Sequence, residues 1–263
     1  MRTQNSIDWK QSDLNVDSLW LIPERAKSGK HKNIYHGNFV PQIPNQLIRR
    51  YTDLGDTVLE LFAGSGTTLF ECETLQRNYI GFDINPEIIE YVKSCMLDCS
   101  TIKYDIKNVD VVDTNKLSRA IEEWIKVTNK ESVDFMIAHP PYLDIVRFTE
   151  DTRDLSTVSD IDEFLDKLLT AITNGFKYLK PNGYFAIVAG DVYKNSEVIP
   201  LAFKIMDTIK QNLKVKMKGI IVKNIEGNRG KLGKQDIWKY RALRSDYFLF
   251  KHEYIFVFKK CSK

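Results

Sequence analysis

The sequence has little of what would staple a chain or anchor it. Four cysteines occur in 263 residues (Cys72, Cys95, Cys99 and Cys261), with no Cys-x-x-Cys pair among them. That excludes a disulfide framework and leaves four reduced thiols. The four histidines show no metal-ligand spacing with one another or with the cysteines, so no metal is expected. No apolar run approaches the ~20 residues a membrane helix needs. Met1 to Lys10 is polar and carries no signal-peptide core, so a cytoplasmic protein without membrane attachment is expected. Internal repeats and low-complexity tracts are absent, and no Ser/His/Asp or Cys/His arrangement is readable from spacing.

What is present is an ordinary globular composition, 43% hydrophobic and 28% charged, in a chain long enough to bury a full core. The formal net charge of +3 conceals a division. Residues 1–191 hold 21 Lys+Arg against 29 Asp+Glu, a balance of −8, whereas residues 192–263 hold 17 against 6, a balance of +11. A basic C-terminal face suits a polyanion; the plainer reading is a solvated basic face opposite an acidic one.

Strand and helix patterns alternate along the chain. Thr57 to Phe62 reads as a buried strand, and Ala63-Gly64-Ser65-Gly66-Thr67 as a glycine loop. A helix follows to Gln76, then a strand from Asn78 to Phe82 ending at Asp83. Pro86 opens the next helix. A third strand is expected at Val109–Val112, ending at Asp113, with a helix over Leu117–Val127. A fourth strand, Val133–Ala138, runs into His139-Pro140-Pro141-Tyr142. A long helix from Ile161 to Tyr178, a fifth strand at Tyr184–Ala189, a helix at Val198–Leu213, and closing strands at Val215–Val222 and Tyr254–Phe258 complete the pattern. It predicts an α/β fold: a doubly wound, mainly parallel seven-stranded sheet with a last antiparallel strand. Residues 1–34 are expected as an N-terminal segment, 35–263 as the domain, and 223–251 as a small basic insertion. Ligands on such sheets bind beyond the strands' carboxyl ends, where Gly64, Asp83, Asp113 and His139 all fall.

In Glu60-Leu61-Phe62-Ala63-Gly64-Ser65-Gly66-Thr67-Thr68, Gly64 and Gly66 permit the sharp turn and a close ligand approach. Asp83 follows 19 residues after Gly64, at the end of the next strand, where it can accept from both ribose hydroxyls of a nucleoside. A dinucleotide fingerprint would place a third glycine at 69, where Leu69 stands. S-adenosylmethionine (AdoMet), lacking a pyrophosphate, does not need it. The alternative is a packing turn beside a solvated Asp.

This segment resembles the AdoMet-binding motif of the DNA amino-methyltransferases, which act on adenine N6 or cytosine N4. His36-Gly37-Asn38-Phe39-Val40-Pro41, followed by a helix, resembles that family's additional cofactor motif. The resemblance spans about 35–222 plus the closing strand, and implies a Rossmann-like class I AdoMet methyltransferase. It implies cofactor contacts from Phe39, Glu60, Phe62, Ala63, Gly64, Ser65, Gly66 and Thr67. It further implies that Asp83 holds the ribose, Ile84 packs on adenine and Asp113 meets the adenine amino group. As a residue in its own right, Asp113 also reads as a helix N-cap.

The His139-Pro140-Pro141-Tyr142 turn has two consecutive prolines and so lacks two amide donors, leaving carbonyl acceptors. That suits a substrate presenting an NH2 group. Accepting both hydrogens of an exocyclic amine drives its nitrogen towards a tetrahedral, nucleophilic state. The Pro140 carbonyl and the first side chain are the expected acceptors, and Tyr142 offers a stacking face. A base inside a duplex must flip to reach them. The family has Asp, Asn or Ser before Pro-Pro, so His139 is a departure. A neutral imidazole accepts at its bare nitrogen and an imidazolium does not. Unperturbed, it would titrate near ~6.5. The resemblance implies a restriction–modification or epigenetic role. Adenine N6 is placed ahead of cytosine N4 on general frequency alone. An RNA base methyltransferase and a catalytically silent nucleic-acid-binding subunit are the rivals.

For DNA contact the candidates are Lys223, Arg229, Lys231, Lys234, Arg241 and Arg244 in the basic insertion, which is interleaved with Trp238, Tyr240, Tyr247 and Phe248. Arg147 and Arg153 follow the catalytic turn. Only ~30 residues serve as a recognition region. Either the site read is short, or a second copy of this chain or a separate specificity or restriction subunit completes it.

Overall fold

The structure is a computed structural model that describes residues 10–32, 37–225 and 235–262. One large sheet carries the molecule. Its strands are β1 (Leu19–Trp20), β2 (Thr57–Glu60), β3 (Asn78–Asp83), β4 (Tyr104–Asn108), β5 (Val133–Ala138), β6 (Leu179–Ala189), β9 (Val215–Asn224) and β10 (His252–Lys260). A separate hairpin pairs β7 (Val192–Lys194) with β8 (Glu197–Ile199). The helices are α1 (Gln42–Tyr51), α2 (Thr67–Leu75), α3 (Pro86–Cys95), α4 (Thr114–Thr128), α5 (Ile161–Phe176), α6 (Leu201–Asn212) and α7 (Gln235–Arg244).

The strand order is β1-β9-β10-β6-β5-β2-β3-β4. All pairings are parallel except those of β10, which runs antiparallel to β6 and β9. The expected doubly wound sheet with its antiparallel strand is therefore present, widened to eight strands by β1. Residues 10–32, read from the sequence as a segment ahead of the domain, supply that strand and bury Trp20 in the core.

Local chemistry sets the helix starts. Asn85 accepts from Glu87 N and Ile88 N ahead of Pro86; Asp113 and Asp160 cap α4 and α5 in the same way. One core fills each face of the sheet. Leu59, Ile80, Met136, Phe164 and Phe256 lie on one side, and Val58, Tyr79, Phe135, Ile48 and Ile255 on the other.

Three elements differ from expectation. The third strand is Tyr104–Asn108, not 109–112, because alternation there is weak and Asp110 opens a turn onto Val112 N. The fifth begins at Leu179, not Tyr184: Lys180 to Gly183 is a bulge inside β6, and the register with β5 jumps between Val133 and Phe135. The basic insertion carries a helix, α7.

The chain winds from β2 outward to β3 and β4, then returns to β5 and β6 on the other side of β2. The switch point lies between β2 and β5. The glycine loop leaves β2 there and the Pro-Pro turn leaves β5, so topology alone brings the two motifs to one crevice.

Candidate active site

The crevice encloses about 1040 Å³ of empty space, part of it open to solvent. This is the upper end of the range for small-molecule sites. Its wall joins the segment at Phe39, the glycine loop, the end of β3, the β4–α4 loop and the whole His139–Tyr142 turn.

The glycine loop is held from three sides. Gly64 and Gly66 have φ of 48° and 83°, the left-handed region. A Cβ on Gly66 would lie 2.9 Å from Val92. Asp83 Oδ2 accepts from Gly64 N at 2.8 Å and Oδ1 from Asn85 N at 2.9 Å. Each oxygen keeps a lone pair for a ribose hydroxyl. Burial raises the Asp83 carboxyl to about 6. Beneath the loop, Glu60 is buried and accepts from Thr68 Oγ1 and Tyr79 Oη, both at 2.6 Å. Burial drives its pKa up to about 8. Its carboxyl thus fastens the first turn of α2 to β3, although the residue also lines the crevice.

Phe39, Phe62, Ala63, Gly64, Thr67, Asp83 and Ile84, named from the sequence as cofactor contacts, line the crevice. Ser65 and Gly66 shape the turn from outside that lining; Ser65 Oγ accepts from Asn38 Nδ2 at 2.6 Å and so ties the Phe39 segment to the loop. Asp113 is a correction. It accepts from Lys116 N at 3.0 Å and pairs with Lys116 Nζ at 3.1 Å as the N-cap of α4, off the crevice wall. Asp110, three residues earlier, lines the wall instead. The shift follows from the early end of β4.

Sequence reasoning missed Asn108, whose Nδ2 donates to the carbonyls of Asp83 (3.0 Å) and Ile84 (2.7 Å). It missed Gly81 too, where a Cβ would sit 2.0 Å from Tyr79 Oη. Phe148 and Asp154, which close the far wall, gave no signal beyond being in a polar stretch.

In the His139–Tyr142 turn, the His139 ring packs against Phe39 with centroids 4.9 Å apart. His139 Nε2 lies 3.0 Å from Tyr142 Oη. Tyr142 Oη in turn reaches Glu253 Oε2 at 3.3 Å, and Lys223 Nζ holds Glu253 Oε1 at 3.1 Å. Burial lowers the His139 pKa to about 4; the Glu253 charge raises it and the Lys223 charge lowers it, by less. The imidazole is neutral at physiological pH, which displaces the expected titration near ~6.5. Burial pushes the Tyr142 phenol well above its usual value, and Glu253 adds to this.

Lys223 is the second correction. Expected on DNA, it is buried in its ion pair with Glu253 and cannot reach a phosphate. Arg153 stands at the crevice rim, paired with Asp151 at 2.6 Å, and Arg147 is exposed beside Glu150. Arg241 and Arg244 are exposed on α7, each over an aromatic ring, Trp238 at 5.2 Å and Tyr240 at 5.4 Å. Arg229, Lys231 and Lys234 lie outside the described residues. No group of three or more potential metal ligands occurs among the described residues, and no described helix is long and apolar enough to cross a membrane.

A glycine loop and an acid at the next strand end, sharing one crevice with an acceptor-lined proline turn, fit a group-transfer site. The chain belongs to the methyltransferase domain family, whose model matches residues 52–241 and so includes both motifs. Residues 1–94 also match the DNA methylase model, in keeping with the resemblance to DNA amino-methyltransferases. The chain is similar to Type II methyltransferase M.MjaII of Methanocaldococcus jannaschii, at 28% identity over 177 residues, 66% of this chain and 32% of that protein. M.MjaI of the same organism is 43% identical over 88 residues, 34% of this chain and 29% of that one. M.HpaI of Haemophilus parainfluenzae is 48% identical over 79 residues, 30% and 25%. The chain thus spans about a third or less of these relatives' lengths. Among solved structures, TrmN from Thermus thermophilus shares the fold, with a TM-score of 0.51 at 17% identity over 86% of this chain and 50% of that one.

The residues present fit S-adenosylmethionine, the family's cofactor. Asp83 keeps two free acceptor positions, the left-handed glycines bare the backbone of the loop, and Ile84 and Val109 supply apolar walls.

Proposed function

We propose that this chain transfers a methyl group from AdoMet to an exocyclic amine of a flipped DNA base, adenine N6 or cytosine N4, within a restriction–modification or epigenetic system. One observation carries the reading. The AdoMet loop and the His139-Pro140-Pro141-Tyr142 turn line a single crevice, on either side of the sheet's switch point. Bound AdoMet supplies an electrophilic methyl group on a sulfonium.

The chain's own residues prepare the acceptor. The Pro140 carbonyl and the bare nitrogen of neutral His139 accept the two amine hydrogens, which localises the nitrogen lone pair. Phe39 and Tyr142 bound the space in which a base would lie, and the crevice excludes a paired base. Asp83 holds the ribose. Exposed Arg241 and Arg244, with Arg153 at the rim, contribute charge for the polyanion.

Incubating the protein with methyl-labelled AdoMet and DNA, followed by nucleoside mass spectrometry, tests this directly. Labelled N6-methyladenine or N4-methylcytosine is expected. Label in RNA alone moves the activity to that polymer. AdoMet binding without transfer to either polymer makes the chain a silent nucleic-acid-binding subunit and overturns the proposal.

A further inference from the structure

The polar groups behind the catalytic turn form one unbranched chain: Lys223 Nζ, Glu253, Tyr142 Oη and His139 Nε2, at 3.1, 3.3 and 3.0 Å. Lys223 sits on β9 and Glu253 on β10, facing each other across the antiparallel pair. Both are buried, at 4% and 7% exposure. A buried ion pair of this kind rarely stabilises a fold more than apolar residues would, so its place behind the motif calls for a role.

Hydrogen bookkeeping supplies one. Tyr142 has a single hydroxyl hydrogen and two neighbours that could take it, a carboxylate and a neutral imidazole. The ion-paired Glu253 can only accept, and Lys223 serves its other oxygen. Among the described residues Tyr142 is the donor to Oε2. A charged acceptor outcompetes a neutral one. The phenol hydrogen therefore goes to Glu253, and its oxygen lone pair faces His139, which must present Nε2–H to it. The other ring nitrogen, Nδ1, is then the bare one. Gly190 leaves room for the Tyr142 ring, since a Cβ there would lie 2.8 Å from it.

We propose that the Lys223–Glu253 pair, acting through the Tyr142 hydroxyl, fixes His139 as the Nε2–H tautomer and leaves Nδ1 as the acceptor for the substrate amine. Lys223 and Glu253 are positioning residues. The pair does for histidine what a family Asp, Asn or Ser does without help, because those side chains always carry an acceptor oxygen. It also assigns the Tyr142 hydroxyl a function separate from the stacking face of its ring. The inference rests on the proposed methyl transfer only for its purpose; the tautomer itself is a property of the free protein.

Nitrogen-15 NMR of the histidine-labelled full chain reads the tautomer directly, with the His139 signal assigned by its loss in His139→Gln. The parent should show Nε2–H and a bare Nδ1. The double variant Lys223→Met with Glu253→Leu removes the charge pair while keeping apolar bulk. Its Tyr142 hydroxyl has no carboxylate to serve, donates to Nε2, and should drive His139 to the Nδ1–H form. Adding Tyr142→Phe to that double variant removes the donor and should return the ring to Nε2–H, the intrinsic preference of a neutral imidazole. Methyl transfer by the double variant should fall by about tenfold or more in single-turnover rate, since tenfold corresponds to ~1.4 kcal/mol, with AdoMet affinity unchanged.

A parent in the Nδ1–H form overturns the inference without any variant being needed. So does a folded double variant with an unmoved tautomer. If the tautomer responds as stated but no polymer is methylated, the tautomer assignment stands and the proposed function fails.

Discussion

If His139 is the proposed acceptor, its burial decides at what pH it serves. Its folded pKa of about 4 lies below the unfolded value near ~6.5. Single-turnover methylation with DNA and AdoMet already bound should therefore be flat from pH 8 down to about 5, with the imidazole limb only near 4. A limb at 6.5 would mean the ring is solvated when substrate is bound. The same shift stabilises the fold above ~6.5, and that contribution is lost as pH falls through about 4. Asp83 behaves oppositely. Its carboxyl is raised to about 6, so the free protein holds a proton there below that pH and loses one acceptor for the ribose. AdoMet affinity, measured by calorimetry, should weaken as pH drops through about 6, in a range where the chemical step is unaffected. Asp83→Ala should weaken AdoMet by roughly 1–3 kcal/mol, the scale of a hydrogen bond to a charged group. An Ala variant that binds AdoMet as the parent does places the ribose elsewhere. Glu60, raised to about 8, is protonated in the fold at neutral pH; the stabilisation this brings is complete below its unfolded pKa near ~4.3 and is lost as pH rises through about 8. Glu60→Gln mimics the neutral form. Its melting temperature should match the parent's below about pH 4, exceed it increasingly as pH rises to about 8, and keep a constant lead above that. A gap that did not change over the whole of this range would show that Glu60 is ionised throughout.

At the level of elements, what the sequence revealed and what it hid have physical causes. Strand ends that carry glycine, acid or proline chemistry were legible, because φ constraints and missing amide donors are properties of residue type. The loop at Gly64, the acid at Asp83 and the turn at His139–Tyr142 were found that way, and all line the crevice. The edge strand β4 was misplaced by several residues because one face is half-exposed and its alternation is weak. That error carried over to Asp113, whose capping role was the competing reading. Lys223 was misread because burial of a lysine depends on Glu253, thirty positions away across a strand pair, which local composition cannot report. Gly190 was silent for the same reason: its value lies in what touches it. Gly190→Ala should displace the Tyr142 ring, which lies 2.8 Å from the added Cβ, while leaving the AdoMet loop alone. The expected result is a loss of methylation of tenfold or more at unchanged AdoMet affinity. Equal loss of both would mean the substitution unsettles the sheet rather than the turn.

For the molecule as a whole, charge is distributed by sequence and read by surface. The last 72 residues carry the +11 balance, yet the fold withdraws part of it from any partner. Lys223 is buried in its ion pair, and Lys260 donates to the carbonyls of Phe176 (2.7 Å) at the end of α5 and Leu179 (2.6 Å) at the start of β6. Among the exposed cations of this segment are Arg241 and Arg244 on α7, which also carries exposed Tyr240 and leads to the 91%-exposed Phe248. Tyr247 stacks on Tyr193 at 4.6 Å, and Tyr193 lies three residues beyond Gly190, so the end of this segment is joined to the chain that supports Tyr142. A duplex engaged there would have its backbone near the base-accepting crevice. Each phosphate neutralised steepens the fall of log affinity with log salt by about 0.9. Arg241→Ala with Arg244→Ala should thus flatten the slope for DNA binding by up to about 1.8, whatever the DNA sequence, and leave AdoMet affinity as it was. The control is Lys223→Met with Glu253→Leu, which removes a lysine of the same basic segment but a buried one, and should leave the salt slope unchanged. If the control flattens the slope and the arginine pair does not, the polyanion lies across β9 and β10 instead of α7.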